Sequence, residues 1–387
     1  MVEWKKLGEV FEIRNGYTPS KNNPDYWENG TIPWFRMEDI RLNGGILSDS
    51  IQHITPASIK TSGLFPANTI IVATTATIGE HALVIVDSLA NQRFTALISR
   101  KSLTQSVLPR FAYYYCFKLD DWCKNHIRQG GFASVDMDGF KKYPFPIPSL
   151  SEQNRIVGIL DTFTASIDNL KEQIAQRRKQ YEYYRDELLD LEGKEGVEMK
   201  TIKDVCLKTT NIKWNIVLEG KTYDYIDLSS VDIETHQIGC VTEIEKNNAP
   251  SRAQQIVKAG DIILGTTRPT LRRYCIIPVQ YDNQICSTGY CIYRANTSFI
   301  LNRWLFHNIG KTRFWDYCER KQQGAGYPCL SNSDAFAYII PIPSLSEQQR
   351  IVSILDTFED SIQNLEAQLE QRQKQYEYYR NKLLTFE

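Results

Sequence analysis

The string PIPSLSEQNRIVGILDTF at residues 146–163 returns almost unchanged as PIPSLSEQQRIVSILDTF at residues 341–358. The match continues without a gap to Leu189 in the first copy and Leu384 in the second, and 32 of its 44 positions are identical. The same offset of 195 residues aligns the first residues of the chain with those that follow Gly196. Because an internal repeat constrains the whole architecture, we interpret the chain as a duplication of one unit.

Each repeated string is typical of the start of a long helix. Ser149 and Glu152 have the spacing of a capping box, in which the two side chains satisfy free backbone N–H groups, and Ser344 and Glu347 repeat it. Apolar residues then follow at alternating steps of four and three, which is the heptad pattern of paired helices. The predicted pairing residues are Ile156, Leu160, Phe163, Ile167, Leu170, Ile174, Tyr181 and Tyr184, and Ile351, Leu355, Phe358, Ile362, Leu365, Leu369, Tyr376 and Tyr379.

These two helices are expected to pair with each other. Each has about 40 residues, or roughly 60 Å, and a single apolar stripe that needs a partner of the same kind. A two-fold relation between the repeats requires the helices to run antiparallel, with one globule at each end. The alternative is that each helix packs only on its own globule. The strict heptad repeat favours pairing.

The front part of each repeat has diverged but keeps traces of a common fold. The run Ala67-Asn68-Thr69-Ile70-Ile71-Val72 resembles Ala259-Gly260-Asp261-Ile262-Ile263-Leu264, and a threonine pair follows each. Short β-branched and aromatic runs, with helical stretches at 110–124 and 302–319, predict mixed α/β (α+β) globules. The predicted organisation is a globule at 1–148, a helix at 149–193, a second globule at 194–343 and a second helix at 344–387.

The composition of the 387 residues is that of a globular protein, with 42% hydrophobic and 24% charged residues. No apolar run approaches the length of a membrane helix and the first residues lack an apolar signal core, so we expect a cytoplasmic protein without a membrane span. The nine cysteines and five histidines show no zinc-site spacing, so we expect no metal. Because the net charge is −1, binding to nucleic acid would depend on local basic patches.

A family likeness is carried by the residues that open and close the first repeat. They are Trp4-Lys5-Lys6-Leu7-Gly8-Glu9-Val10, the turn Gly16-Tyr17-Thr18-Pro19-Ser20, and the closing PIPSLSEQ before a long helix. With the duplication, this arrangement resembles the DNA specificity subunits of type I restriction-modification systems. The second repeat departs from the pattern at its start, where Met199 stands in place of Trp4 and the glycine turn is missing around Thr209-Thr210-Asn211.

The resemblance implies two target-recognition domains, each of which reads one half of a bipartite, asymmetric site in double-stranded DNA. It implies that the antiparallel helices set the spacing between the halves and dock two methyltransferase subunits. Restriction subunits, which translocate and cut DNA, are further expected partners. No cofactor is expected in this chain, because S-adenosylmethionine, ATP and Mg²⁺ belong to the partner subunits.

Sequence reading requires polar side chains that reach base edges, together with Lys and Arg on phosphates. Loops of both predicted globules supply such residues in groups. In the first globule the candidates are Arg14, Asn15, Thr18, Ser20, Lys21, Arg36, Asn91, Gln92, Arg93, Arg128 and Gln129. In the second they are Asn211, Lys213, Thr266, Thr267, Arg268, Arg272, Arg273, Lys321, Gln322 and Gln323.

Catalytic motifs are not evident in the sequence. The string Asn23-Pro24-Asp25-Tyr26 lacks the second proline of a methyltransferase motif, and Gly220-Lys221 lacks the surroundings of a phosphate-binding loop. Asp316, Glu319 and Lys321 loosely suggest a nuclease, but they fall within a predicted helix.

Two rival classes stay open at this point. One is a divergent single-chain methyltransferase or nuclease, which would bind S-adenosylmethionine or cut DNA by itself. The other is a coiled-coil adaptor that joins only protein partners, in which exchange of the globules would leave sequence preference unchanged. Neither explains divergent globules on near-identical helices as well as a specificity subunit does.

Overall fold

The computed structural model of the chain describes residues 2–128 and 133–386. The chain forms two compact units, the first made of Met1–Leu170 with Gln368–Glu387 and the second of Lys171–Ala367. Each unit therefore contains one globule and a part of both long helices. Within the described residues, no helix has the combination of length and apolar character that a membrane crossing requires. The domain boundaries given by the sequence stay a prediction, because the compact units cut across both helix segments.

The first globule combines a central sheet with smaller sheets and four helices. Its strands are β1 Glu3–Lys6, β2 Phe11–Asn15, β3 Ile32–Phe35, β4 Ile46–Leu47, β5 His53–Ile54, β6 Thr69–Ala73, β7 His81–Val84, β8 Leu89–Ala90, β9 Phe94–Ser99, β10 Ile127–Arg128, β11 Ser134–Val135 and β12 Pro144–Ile147. Its helices are α1 Leu7–Val10, α2 Met37–Asn43, α3 Pro109–Asn125 and α4 Met137–Lys142, and the first long helix is α5 Leu150–Leu188. The sheet orders are β2-β9-β6-β7-β4, β5-β3-β8, β1-β12 and β10-β11.

Strand β6 is buried on both faces, which explains its continuous apolar sequence. Successive side chains of a strand point to opposite faces of the sheet. Ile70 and Val72 pack in one core cluster with α3 and the start of α5, whereas Ile71 and Ala73 pack in a second cluster with β3. The central sheet is therefore the middle layer of the globule.

The second globule has the same kinds of element. Its strands are β13 Glu198–Thr201, β14 Cys206–Leu207, β15 Thr210–Asn211, β16 Tyr223–Ile226, β17 Thr242–Ile244, β18 Ala253–Ile256, β19 Ile262–Gly265, β20 Tyr274–Ile276, β21 Ile285–Ser287, β22 Tyr290–Ala295 and β23 Ile339–Ile342. Its helices are α6 Ile202–Val205, α7 Asn302–Gly310, α8 Thr312–Lys321 and α9 Asn332–Ala337, and the second long helix is α10 Leu345–Leu383. The sheet orders are β14-β22-β19-β20, β15-β18-β21-β16-β17 and β13-β23.

The strand orders confirm that one fold occurs twice. The run β2-β9-β6-β7 in the first globule corresponds to β14-β22-β19-β20 in the second. A parallel pair, β3 with β8 and β16 with β21, stands beside each central sheet. Met199 takes the place of Trp4, since each lies opposite a proline of the strand that precedes a long helix. The expected mixed α/β globules are therefore present in both repeats.

One predicted helix is wrong in its extent. The stretch 302–319 is not continuous, because α7 ends at Gly310 and α8 begins at Thr312, with Lys311 in an extended conformation between them. Lys311 is buried, and its Nζ donates a hydrogen bond to the carbonyl of Leu189 just after α5. A cation at the C-terminal end of a helix is stabilised by the unpaired carbonyl groups there. The break thus lets Lys311 close the end of α5.

A fully buried glutamine anchors the start of each long helix. Gln153 donates to the carbonyls of Ser106 and Pro148 and accepts from the backbone N–H of Leu108, at 2.8 to 2.9 Å. Gln348 makes the equivalent three bonds, to Phe299, Pro343 and Leu301, at 2.9 to 3.0 Å. Each amide therefore ties a loop of the globule to the segment that precedes the helix, at the point where a globule meets its helix.

The predicted capping boxes form only in part. Ser149 and Ser344 accept bonds from the backbone N–H groups of Glu152 and Glu347, as expected. Each glutamate carboxylate, however, accepts two bonds from the arginine three residues further on, Arg155 in α5 and its counterpart in α10. This charge-assisted pair is stronger than a bond to a neutral backbone donor, and it takes the carboxylate away from the reciprocal position.

In the second unit, α5 and α10 run antiparallel. Arg178 pairs with Glu366 at 2.7 Å, the Tyr181 hydroxyl lies 2.8 Å from Glu359, and the ring of Tyr184 stacks on Phe358. As the residue numbers rise along α5, those of the contacted residues fall along α10. This order of contacts establishes the direction of pairing that the heptad pattern predicts.

In the first unit the same two helices also run antiparallel. The ring of Phe163 stacks on Tyr379 and tilts against Tyr376, and further along a polar groove is lined by Leu170 together with Gln368. Other pairing residues serve the globules as well, since Ile156 and Leu160 lie wholly inside the first core. The sequence left open whether each long helix pairs with the other or packs on its own globule. Both kinds of contact occur.

The pairing residues differ in burial along the seam. The described helices bury the start of each seam completely, at Ile156, Leu160, Ile351 and Leu355, and nearly so at Ile167 and Ile174. By contrast, Tyr184 and Tyr379 remain 43% and 42% exposed despite their stacked rings. The rings of Tyr184 and Tyr379 thus cover the helix interface without being buried in it, because their edges stay in solvent.

We predict that Gln348→Ala lowers the free energy of unfolding by about 2 to 4 kcal/mol, because it leaves one buried N–H and two buried carbonyls without their partner. The matched control is Gln349→Ala, since Gln349 is the exposed neighbour in the same helix. Urea denaturation of the two variants measures the difference. Equal midpoints would contradict the anchoring role of Gln348.

Candidate nucleic-acid interface

In the first unit, four loops meet at one edge of the central sheet. The backbone N–H of Thr74 donates to the carbonyl of Arg93, and the N–H of Val135 donates to the carbonyl of Thr74. The N–H of Gly16 donates to the carbonyl of Phe94, which continues the edge toward the end of β2. The turn after β6, the loop before β9, the loop after β2 and the segment at β11 therefore lie side by side at this edge.

Gly16 is required at this edge. A Cβ atom at this position would lie 2.3 Å from the carbonyl oxygens of Ala90 and Asn91, far inside van der Waals contact. The absence of a side chain lets the loop after β2 pass directly over the strand β8 and its following turn. Consequently Thr18 comes within hydrogen-bond distance of Gln92.

Four of the residues predicted to bind DNA in the first repeat lie on the loops of this edge. Their side chains are exposed or half-buried, and they are Thr18, Asn91, Gln92 and Arg93. Ser20 and Lys21 follow Thr18 in the loop after β2 and are exposed. Gln129 lies outside the described residues. The cluster contains both amide groups and cations, which is the combination that base and phosphate contacts require.

Four other predicted residues of this unit already have partners in the protein. Arg14 donates to the carbonyls of Ser62 and Leu64, and Asn15 accepts a bond from Thr95. The guanidinium of Arg36 lies over Trp34 and 3.8 Å from Glu38, and Arg128 pairs with Asp136 and Asp138. These contacts reduce the number of donors that each can offer to DNA.

In the second unit an equivalent edge forms with the same backbone bonds. The N–H of Thr266 donates to the carbonyl of Gly289, and the N–H of Leu330 donates to the carbonyl of Thr266. Thr267 bridges Cys329 as Thr75 bridges Ser134 in the first unit. The edge extends further, because the N–H of Thr288 donates to the carbonyl of Arg252.

The residues predicted in the second repeat occupy this edge to different degrees. Thr266 is buried, and its hydroxyl donates to the Gly289 carbonyl; Arg273 is half-buried and donates to the carbonyl of Val231. Gln322 is half-buried, and its side-chain oxygen is buried without a hydrogen-bond partner among the described residues. The exposed members are Asn211, Lys213, Arg268, Arg272, Lys321 and Gln323, with Thr267 half-exposed.

Sequence reasoning missed three residues of this second edge. Arg252 and Thr288 are exposed beside Gly289, and Tyr327 is 72% exposed next to Arg268. Tyr327 follows the glycine-rich string Gly324-Ala325-Gly326, and a lone aromatic residue after such a loop could have singled it out. For Arg252 and Thr288 no comparable signal exists, since only the strand pairing brings them to the edge.

A separate polar cluster lies on the helix side of the second unit. His307, Asp356 and Glu359 bring ligand atoms within 4.8 Å of one another, which is the type of group that could hold a metal ion. Arg303, however, forms salt bridges with both carboxylates, and the hydroxyl of Tyr181 lies 3.0 Å from His307. The guanidinium already supplies the positive charge that a metal ion would bring.

The first unit has a counterpart of this cluster without a histidine. Arg110 and the Tyr114 hydroxyl both bond to Asp161, as Arg303 and His307 bond to Asp356. Burial lowers the pKa of His307, against the opposing effect of the neighbouring Asp356 and Glu359 carboxylates. The cluster is therefore best described as a hydrogen-bond network between globule and helix that recurs in both units.

The carboxylates that suggested a nuclease lie elsewhere. Asp316 and Glu319 are exposed on α8, and the described residues bring neither into a group with metal-ligand geometry.

The sequence matches the model of the family described as "Type I restriction modification DNA specificity domain" over residues 1–177 and again over 194–372. It is 45% identical over 376 residues to the specificity subunit of the type I restriction enzyme EcoprrI of Escherichia coli, covering 92% of this chain and 88% of that one. It is 37% identical over 209 residues to the EcoR124I/EcoR124II specificity subunit of Escherichia coli, covering 51% and 50%.

Two solved structures share the fold over nearly the whole chain. One is the specificity subunit of a type I restriction-modification system from M. genitalium, with a TM-score of 0.56, 16% identity and coverage of 100% and 97%. The other is a chain from a solved type I restriction-modification system, with a TM-score of 0.64, 16% identity and coverage of 99% and 97%. The doubled family match and the 45% identical relative identify the chain as a member of the type I restriction-modification DNA specificity family and a specificity subunit of such a system.

Proposed function

We propose that this chain selects a bipartite, asymmetric site in double-stranded DNA, and that the loop edge of each unit reads one half of the site. The observation that carries the proposal is a contrast within the repeat. The same backbone bonds build both edges, but the side chains that they expose differ. One scaffold with two different surfaces suits the reading of two different half-sites.

The two long helices set the spacing of the half-sites and carry two methyltransferase subunits in this proposal. Side chains that face solvent and are identical in both helices support the docking role, because packing within this chain does not account for them. Tyr183 and Tyr378 are 64% and 59% exposed, and Lys179 and Lys374 are exposed one helical turn before them. Two equal surfaces fit two copies of one partner.

We propose that this chain is itself non-catalytic. Methyl transfer would belong to the methyltransferase subunits with S-adenosylmethionine, and DNA translocation and cleavage to restriction subunits with ATP and Mg²⁺. Asp316 and Glu319 are exposed on one helix, and among the described residues no third ligand group joins them, which supports this division. A protein that selects the site while its partners act on it needs hydrogen-bond donors toward DNA and surfaces that bind the partners. In this proposal the loops supply the donors and the helices supply the surfaces.

The first prediction concerns DNA reading by the first unit. Arg93→Ala should weaken or relax recognition of one half-site only, because Arg93 is an exposed cation at the centre of one edge. Genome-wide mapping of methylated adenines in cells that contain the complete complex measures this. Asn154→Ala, an exposed change at the start of α5, is the control that should leave both halves intact. Relaxation of both half-sites by Arg93→Ala would contradict the division between units.

The second prediction concerns spacing. Insertion of one heptad after Gln173 and one after Gln368 should widen the unread gap by up to about 3 base pairs, since seven helical residues add about 10 Å. The same insertion in α5 alone is the control, and it should abolish methylation because the helices then no longer match in length. An unchanged gap in the double insertion would remove the spacing role of the helices.

The third prediction concerns partner docking. Tyr183→Ser and Tyr378→Ser should each remove one methyltransferase subunit from the assembled complex, and the double variant should remove both. Loss of an exposed aromatic anchor at an interface commonly costs 2 kcal/mol or more, about 30-fold in affinity. Native mass spectrometry counts the bound subunits, with Asn154→Ala as the control. Full occupancy in the double variant would place the docking surface elsewhere.

A further inference from the structure

The turns that follow β6 and β19 share an unusual backbone feature. Directly after the threonine pair, Ala76 and Arg268 have φ angles of 66° and 51°. This left-handed region is unfavourable for residues with a side chain, and glycine or asparagine normally occupies it. The same strained position therefore occurs in both repeats, although neither sequence places a glycine there.

Strain that recurs at one position of a duplicated fold points to a function for that position. Ala76 and Arg268 are both exposed, and each follows a threonine pair whose first member is bonded through both its N–H and its carbonyl and whose second member forms a β-bridge. The rigid turn thus presents one residue to solvent at the same point of each edge. What differs is the side chain, a methyl group in the first unit and a guanidinium in the second.

The guanidinium of Arg268 is held in place without the use of its donors. The backbone N–H of Arg268 donates to the carbonyl of Pro328 at 2.7 Å, and its guanidinium lies over the ring of Tyr327 with 4.7 Å to the centroid. Among the described residues no carboxylate forms a salt bridge with it, in contrast to Arg128. A cation on an aromatic face keeps its N–H groups free at the rim.

The support for Tyr327 is itself built into the edge. Tyr327 lies in the short loop closed by Gln323 and Cys329, which exchange two backbone bonds at 2.8 and 2.9 Å. Cys329 in turn bridges Thr267. The ring and the arginine are thus carried by two segments that are bonded to each other, and the pair is pre-organised before any DNA binds.

We propose that Arg268 reads a guanine in the major groove, within the half-site recognised by the second unit, and that Tyr327 is its positioning residue. The inference rests on the proposed function and names one contact within it. A planar guanidinium with free, parallel donors matches the O6 and N7 acceptors of guanine. Ala76 offers no donor at the equivalent point, so the first unit makes no such contact from its turn.

The test compares Arg268→Lys and Arg268→Ala with the unchanged chain, each in the complete methyltransferase complex. Lysine keeps the positive charge but lacks the two parallel donors with which a guanidinium bonds to guanine O6 and N7. Both variants should relax one base pair of one half-site, lowering the preference for guanine there by about 5- to 150-fold, which is the value of one two-point contact. Methylation mapping identifies the base pair, and titration of duplexes that differ only at that base pair measures the ratio.

Two further variants separate positioning from mere folding. Tyr327→Ala should reduce the same guanine preference, and Tyr327→Phe should restore it, because phenylalanine keeps the aromatic face. Arg320→Ala is the control, because Arg320 is an exposed arginine of the same unit that lies on α8, where it lines a cavity with Tyr317 and Tyr338. It should leave the base preference unchanged.

The outcomes distinguish the inference from the function on which it rests. Two outcomes for Arg268→Ala would overturn the inference and leave the bipartite recognition site intact. One is a methylation map in which every guanine of the site is still required. The other is an equal loss of affinity for all duplexes, as expected for a phosphate contact. Absence of any sequence-specific methylation by the unchanged complex would instead overturn the proposed function. Relaxation of a base pair other than guanine·cytosine would also overturn the assignment.

Discussion

Each unit of this protein completes its core with the end of a helix that begins in the other unit. Leu384 and Phe386, from the end of α10, pack in the core cluster of the first globule with Phe111. Leu189 and Leu191, just after α5, pack in the core cluster of the second globule. Burial of a leucine side chain contributes about 1.5 to 3 kcal/mol to the free energy of unfolding, so these helix ends stabilise the globule into which they pack.

This exchange of helix ends explains why the helices vary less than the globules between the repeats. A residue such as Leu160 must fit its own globule and the end of the other helix at once, since both lie in one cluster. Gln153 must satisfy three backbone groups of two segments. Loop residues such as Arg93 and Gln92 face solvent at the edge and meet no comparable constraint. Packing thus fixes the helices and leaves the reading edges free to differ.

Much of this architecture could be predicted from the sequence because the repeat and its heptads are periodic. The duplication, the long helices and their antiparallel pairing all followed from positions such as Phe163 and Phe358. Two features could not be predicted. The Glu152 carboxylate turns to Arg155 in the same helix, because a charge-assisted pair outcompetes a bond to a backbone donor. Lys311 interrupts a helix to reach Leu189, which is a tertiary contact. Local patterns do not encode partners that lie more than a hundred residues away.

The candidate interface shows the same limit more sharply. The grouping of Thr18, Gln92 and Arg93 on neighbouring loops agrees with a sequence argument based on residue type, but residue type could not tell that Arg14 is bonded to the carbonyls of Ser62 and Leu64. Nor could it find Arg252, which strand pairing alone brings to the edge. A polar loop residue is informative about binding only when its competing partners within the protein are known.

The two sockets that receive the helix ends are chemically different, and this difference bears on how the repeats associate. In the first unit the socket is aromatic, with Phe386 edge-on to Trp4 and Phe111. In the second unit the end of α5 meets polar donors, since Asp186 accepts from the N–H of Thr312.

The two aromatic pairs of the first socket contribute more to the preference for one helix end over the other than the polar contacts of the second socket do, at about 0.5 to 1.5 kcal/mol each. The ion pair between Arg313 and Glu192 in the polar socket is largely exposed and contributes less than about 1 kcal/mol. Leu191 stands where Phe386 does in the other repeat, so α5 placed in the first socket would lose both ring contacts. The end of α10 is therefore matched to the globule of the first repeat, and this match favours pairing within one chain over pairing between two copies of the first repeat.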